Sequence, residues 1–184
     1  KLTVAVTACW VEYNGDLVPF HEKFPNAAGI LKEGVRGGLL EIANHGLTHC
    51  VLEGYRFRPR LFFSNRKFHR EFWGWVPKDI HFSNLSRSQG LLENFFGEPI
   101  VTLVPPGNVF SDHTIEAAQK LGIKIINCQT KDFVQDGVNI VSNENVLPFH
   151  DKEIVENDGS WLEQTISRQG SAEFVFVRDL PRAL

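Results

Sequence analysis

Short apolar runs alternate along the chain with segments in which apolar residues recur every three or four positions. The runs are rich in β-branched residues, so each predicts a buried strand. They lie at residues 2–7, 39–43, 100–104, 123–127, 138–141, 146–149 and 173–177. The segments with helical spacing lie at residues 27–35, 86–96, 112–121 and 160–168. This alternation predicts a mostly parallel sheet with helices outside it, either a barrel or an open α/β sheet.

Capping residues and glycines predict where the helices begin and end. Ser86 and Ser160 each open a Ser-x-x-Gln/Glu capping box, and Asp112 is a third candidate N-cap. Gly97 and Gly122 follow the last apolar positions of two helices and predict their ends.

Residues 55–75 do not follow the alternating pattern, because aromatic and cationic side chains are interleaved there. They predict an insertion at about residues 55–80 within a single domain spanning residues 1–184. Aromatic rings such as Trp73 and Trp75 could stack on a sugar, and the arginines could hold an acidic group. Binding of single-stranded nucleic acid and a loop that simply buries its aromatic rings are the alternatives.

Composition argues against nucleic-acid binding and membrane spans, and it bears on the cellular location. The formal net charge of −3 argues against a nucleic-acid partner, and no apolar run approaches the roughly 20 residues of a membrane span. Three widely spaced cysteines predict reduced thiols, which fits a cytoplasmic protein. A secreted or periplasmic location is the alternative. The sequence begins at Lys1 and contains no Met, so we expect that a segment before Lys1 is missing from it.

The candidate chemistry lies after predicted strands, where the carboxyl ends of parallel strands place functional residues. His45 and His49 are four positions apart directly after the strand at residues 39–43, and a helical turn there would bring both imidazoles to one face. Two such nitrogens can bind one metal ion, although surface or capping histidines have the same spacing.

Two further motifs also follow predicted strands. His150 comes after residues 146–149 and could protonate a leaving group, or it could simply bond to Asp151 or to the backbone. Pro105 and Pro106, followed by a glycine, form a rigid turn after residues 100–104.

In this order, the motifs resemble those of the polysaccharide deacetylase family, which removes acetyl groups from N-acetylated sugars. His45-Gly-Leu-Thr-His49 is similar to its His-Ser/Thr-x-x-His motif, and Val104-Pro-Pro-Gly107 is similar to its Arg-Pro-Tyr-Gly motif. Leu147-Pro-Phe-His150 resembles its Leu-x-His motif, displaced by one position. The resemblance implies a distorted (β/α) barrel of mostly parallel strands with outer helices.

The same resemblance implies a mechanism and its residues. His45, His49 and an upstream Asp would bind a divalent metal, with zinc expected and cobalt, nickel or iron as alternatives. His150 would protonate the departing sugar amine, and Pro105, Pro106, Trp73 and Trp75 would line the substrate. The substrate would be an N-acetylated amino sugar in a polysaccharide or glycan precursor, and the products acetate and a free amine.

Three departures from the family pattern affect this expectation. No Asp-Asp pair, the family's first motif, occurs in the chain, so we expect that motif and its strand to precede Lys1. Val104 stands where the family has an Arg, and Lys131-Asp132 is only a loose match to the fourth motif. A catalytically inactive carbohydrate-binding relative is therefore the alternative function.

A different zinc hydrolase on a similar barrel is a further alternative. It would recruit a third histidine to the metal, from His69, His81 or His113.

Overall fold

The computed structural model describes residues 1–50, 70–156 and 159–180. The strands are β1 (Leu2–Val6), β2 (Cys9–Val11), β3 (Leu17–Pro19), β4 (Leu40–Asn44), β5 (Thr102–Leu103), β6 (Ile125–Asn127), β7 (Phe133–Gln135) and β8 (Val138–Val141). The helices are α1 (Phe20–Lys23), α2 (Pro25–Arg36), α3 (Lys78–Phe96), α4 (Asp112–Lys120), α5 (Asp151–Glu156) and α6 (Ser160–Arg168). Short 3₁₀ turns occur at Pro106–Asn108 and Val177–Asp179.

Six strands form one sheet in the order β1-β4-β5-β6-β8-β7, and β2 pairs separately with β3. All neighbours in the large sheet are parallel except β7, which is antiparallel to β8. The strands β1 and β7 are open edges, so the described residues form an open sheet and not the predicted closed barrel. A tight turn explains β7: Asp136 and Gly137 have φ of 51° and 77°, as two-residue hairpins require.

One face of the sheet carries the apolar core. The helices α2, α3 and α4 lie against this face and bury two clusters of side chains. Helix α3 contributes to both clusters, with Leu85 in one and Leu92 and Phe96 in the other. Gly97, with φ of 79°, ends α3 as its position predicts, because a left-handed residue stops the helix at little steric cost.

The opposite face of the sheet is partly polar. The buried carboxylate of Glu41, in β4, accepts hydrogen bonds from the hydroxyls of Thr3 (2.6 Å) and Thr102 (2.5 Å). Residues from the 3₁₀ turn at Val177–Asp179 cover it: the Arg178 amide donates to Glu41 (3.2 Å), and the Val177 amide donates to Thr3 (2.9 Å). The C-terminal part of the described chain is thereby fixed across the first strands.

The core pattern located most elements correctly, but two predicted strands are wrong. Residues 146–149 are irregular, since Pro148 has no amide hydrogen to donate and the Phe149 ring instead packs edge-on against Trp161. Residues 173–176 are also irregular, and Val177 begins a 3₁₀ turn with its amide bonded to the Thr3 side chain. The strands β2, β3 and β7 were not predicted.

Three predicted helix starts are displaced. Helix α3 begins at Lys78, directly after Pro77, so Ser86 lies inside the helix and not at its N-cap. The N-cap of α4 is Ser111, one residue before Asp112. Helix α6 begins after Gly159, and Ser160 is its first residue.

Most of the predicted insertion, including His69, lies outside the described residues. Its last part, from residue 70, enters the core through Glu71 and Phe72, which are both buried. A single domain across residues 1–184 stays a prediction. Every helix in the part of the chain that the structure describes is too short or too polar to cross a membrane.

Candidate active site

The loop from His45 to His49 follows β4 at its carboxyl end, as predicted. The loop is irregular and not the helical turn that the spacing suggested, since Gly46 and His49 have φ of 82° and 64°. It nevertheless brings the two imidazoles together, with ring centres 5.1 Å apart and planes inclined by 63°.

The ring of His45 is oriented by a backbone carbonyl. Its Nδ1 lies 2.6 Å from the carbonyl oxygen of Val104, which can only accept, so Nδ1 carries the hydrogen and Nε2 holds the lone pair. Burial lowers the pKa of His45 to about 4, and the charges of His49 and His150 act in the same direction. His45 is therefore a neutral imidazole at neutral pH.

The loop backbone is fixed by its neighbours on the β1 side. The amides of Ala8 and Cys9 donate to the carbonyls of Gly46 (3.1 Å) and Leu47 (2.7 Å). The Gly46 amide donates to the side chain of Asn44 at 2.8 Å. Asn44 is completely buried.

Glu71 holds the other side of the loop and was not predicted. Its Oε2 accepts from the amides of Leu47 (2.9 Å) and Thr48 (3.3 Å), and its Oε1 accepts from Asn84 (2.8 Å). Burial raises the pKa of Glu71 to about 7, while these bonds and one from the His49 amide act in the opposite direction. A sequence signal was absent, because Glu71 meets main-chain atoms more than 20 positions away.

The predicted Pro-Pro-Gly turn lies against this loop. Pro105 and Pro106 are both buried, and a Cβ on Gly46 would lie 3.3 Å from Pro106 Cγ. Arg70 crosses the turn, because a Cβ on Gly107 would lie only 2.6 Å from its Nε. The Pro-Pro-Gly turn therefore packs closely against the loop from His45 to His49. Whether the prolines touch a substrate stays a prediction.

His150 lies before α5, and its side chain is 83% exposed. Its Nδ1 is 3.6 Å from the carboxylate of Glu153, which also accepts from the His150 amide at 2.6 Å. His150 is near enough to His45 for its charge to influence the pKa of that ring. The structure thus brings His45 and His49 together and leaves the His150 side chain largely exposed.

The other candidates occupy different surroundings. Trp75 is 47% exposed and Trp73 is half-buried, with Arg70 Cζ 5.6 Å from the centre of its ring. His81 is buried between Thr114 (3.0 Å) and the Trp73 carbonyl (3.1 Å), which gives it a structural role. Its neighbouring ring is His113, 5.6 Å away between centres, and not the pair at His45.

Asp132, the loose match to the fourth motif, is exposed and accepts a hydrogen bond from the Ser142 amide at 2.5 Å.

The chemistry of the His45–His49 pair fits a divalent metal ion in part. A ligating histidine commonly donates its second ring hydrogen to a carbonyl, which fixes the tautomer and directs the other nitrogen to the ion. The contact between His45 and Val104 has this form. Within the described ranges no group of three or more His, Cys, Asp or Glu residues could hold a metal.

The sequence model of one family, polysaccharide deacetylase, matches residues 1–126. The chain belongs to the polysaccharide deacetylase family. Its matched part contains β1 to β5, the first two residues of β6 and the loop with both histidines. No curated protein matches the sequence.

Several solved structures resemble this polysaccharide deacetylase homologue in fold. A de-N-acetylase from Aggregatibacter actinomycetemcomitans is 19% identical, with a TM-score of 0.45 over 80% of this chain and 57% of its own. IcaB from Ammonifex degensii is 16% identical, with a TM-score of 0.44 over 73% and 52%. A 4-alpha-glucanotransferase from Thermococcus litoralis is 14% identical, with a TM-score of 0.47 over 79% and 22%. The chain spans about half the length of the first two proteins.

Proposed function

We propose that this member of the deacetylase family hydrolyses the N-acetyl group of an amino sugar in a polysaccharide or glycan precursor, with a divalent metal ion bound by His45 and His49. The observation that carries the proposal is the approach of these two imidazoles, 5.1 Å between ring centres, at the carboxyl end of β4. Family membership supports the reaction class. A bound divalent ion, with zinc expected, would supply Lewis-acid polarisation of the amide and an acidified water.

The surroundings of His45 fix its protonation state and its tautomer. His45 stays neutral at neutral pH because burial lowers its pKa to about 4, so its Nε2 lone pair is available without prior loss of a proton. The Val104 carbonyl holds its tautomer.

We assign to His150 the role of the acid that protonates the departing amine. Its side chain is exposed to solvent, and its charge acts on the pKa of His45. The catalytic base is assigned to no residue of this chain, which contains no Asp-Asp pair.

The test measures acetate release from N-acetylated amino-sugar oligomers together with bound metal. Chelator-treated protein should lose activity and regain it with zinc, and His45→Ala and His49→Ala should bind little zinc. His150→Ala should keep stoichiometric zinc and lose about 100-fold or more in turnover, the usual contribution of a general acid. Unchanged turnover in His150→Ala would remove that residue from the mechanism.

The second candidate function is sugar binding without hydrolysis, which the replacement of the family's Arg by Val104 favours. On this hypothesis the oligomers bind without release of acetate, and Trp75→Ala weakens their binding. Trp75 is the suitable probe because nearly half of its surface is exposed. Hydrolysis with an unchanged KM in Trp75→Ala would reject both this function and the substrate role of Trp75.

A further inference from the structure

Residues 46–48 form no helix or strand, yet most of their main-chain hydrogen-bonding groups are paired. The carbonyls of Gly46 and Leu47 accept from the chain after β1, and the Gly46 amide donates to Asn44. The amides of Leu47 and Thr48 both donate to Glu71. Two of the three loop amides therefore depend on one side chain.

The fit around Glu71 is close. A Cβ on residue 46 would overlap Oε2, so only glycine can occupy that position while the carboxylate is in place. Its Oε1 is held from the other direction by Asn84, in α3. Glu71 thus connects the loop to a core helix. The residue is buried, with a relative exposure of 1%.

We propose that Glu71 is a positioning residue: its carboxylate fixes the main chain of residues 46–49 and so sets the separation of the His45 and His49 rings. This inference rests on the proposed function in so far as the rings bind metal. Glu71 acts through the backbone of the loop.

The physical reason is the cost of leaving buried amides without an acceptor. If Glu71 is shortened to Ala, at least the amides of Leu47 and Thr48 lose their partner in a region closed to solvent. The loop is then expected to rearrange toward water, and His49, at its end with φ of 64°, would move relative to His45. The Ala8 and Cys9 contacts remain, so the sheet itself stays intact.

The experiment compares Glu71→Ala, Glu71→Gln and a matched core variant, Leu92→Ala. Glutamine keeps one acceptor oxygen for the loop amides, and its NH₂ can face Asn84 with that amide reversed. Leu92 is completely buried in the apolar cluster that also contains Leu47, but its side chain cannot form hydrogen bonds, so Leu92→Ala loosens the packing beside the loop without removing an acceptor. Zinc affinity is measured on the folded proteins by competition with a chromophoric chelator.

The expected result is a zinc Kd about 10- to 100-fold higher in Glu71→Ala, as is usual when a residue supporting a metal ligand is removed. Glu71→Gln should bind zinc nearly as the parent does, and so should Leu92→Ala. Unchanged affinity in Glu71→Ala, or an equal loss in Leu92→Ala, overturns the inference.

A second readout needs no metal. Amide hydrogen exchange at Leu47, Thr48 and His49 in metal-free protein should be at least about 10-fold faster in Glu71→Ala than in the parent, and Glu71→Gln should restore protection. If the parent binds no zinc, the proposed metal site fails, and exchange then decides the role of Glu71. Equal exchange in the parent and Glu71→Ala overturns it in either case.

Discussion

Gly46→Ala tests how closely the histidine loop is packed. A Cβ at this position would overlap Glu71 Oε2 and lie 3.3 Å from Pro106 Cγ, and φ is 82°. Glu71 has no room to withdraw without breaking its bonds to Leu47 and Thr48. The substitution therefore combines backbone strain with the loss of buried hydrogen bonds.

The magnitude follows from these two terms. An alanine in the left-handed region costs about 1–2 kcal/mol. Leaving even one of the buried amides without its acceptor adds about 1–3 kcal/mol. We therefore expect Gly46→Ala to lower the free energy of unfolding by about 2–5 kcal/mol.

Gly97→Ala is the matched control. Gly97 has nearly the same φ, 79°, but no atom lies within 4 Å of its would-be Cβ, so only the strain remains. Urea unfolding of the metal-free proteins, followed by circular dichroism, should show that Gly46→Ala costs about 1–3 kcal/mol more than Gly97→Ala. Equal losses in the two variants would refute the reasoning. In a Glu71→Ala background the extra cost should shrink.

Two further predictions concern titratable groups away from the loop. Burial lowers the pKa of His81, so the folded chain resists its protonation, and stability should fall as the pH drops below the ordinary histidine value of about 6.5. Thermal unfolding at pH 7.5 and 5.5 should therefore show a smaller loss for His81→Gln than for the parent, and equal losses would contradict this. Burial raises the pKa of Cys128 to about 11, two units above its ordinary value, so its thiolate fraction at pH 8 falls about 100-fold. Iodoacetamide should modify Cys128 at least about 100-fold more slowly in the native chain than in urea, by mass spectrometry, and comparable rates would show that the site is open.

Local signals predicted the elements that depend on local physics. The apolar runs found β1, β4, β6 and β8, and the positive φ of Gly97 confirms its helix-ending role. The strand wrongly expected at residues 146–149 contains Pro148, whose effect outweighed the apolar pattern. The hairpin between β7 and β8 could have been predicted from the sequence, because Asp136-Gly137 is a favoured pair for a two-residue turn.

In the candidate site, too, only the features that depend on neighbouring residues could be predicted. Spacing identified His45 and His49, but it could not show that an irregular loop rather than a helical turn brings their rings together. That conformation depends on Glu71, whose partners are backbone amides far away in the sequence. Side-chain patterns carry no record of such a contact, because any residue at positions 47 and 48 other than proline supplies the same amide.

The contact between Val177 and Thr3 joins positions 174 residues apart. Closing the loop between these two positions has an entropic cost, which the other contacts of the folded chain must offset. We therefore expect this contact to form after the folding transition state. Val177→Pro, which removes the donated amide and leaves the bond from Thr3 to Glu41 in place, should then accelerate unfolding and leave the folding rate nearly unchanged. During synthesis, Thr3 would emerge long before Val177, so this side of β1 would stay incompletely covered until Val177 follows.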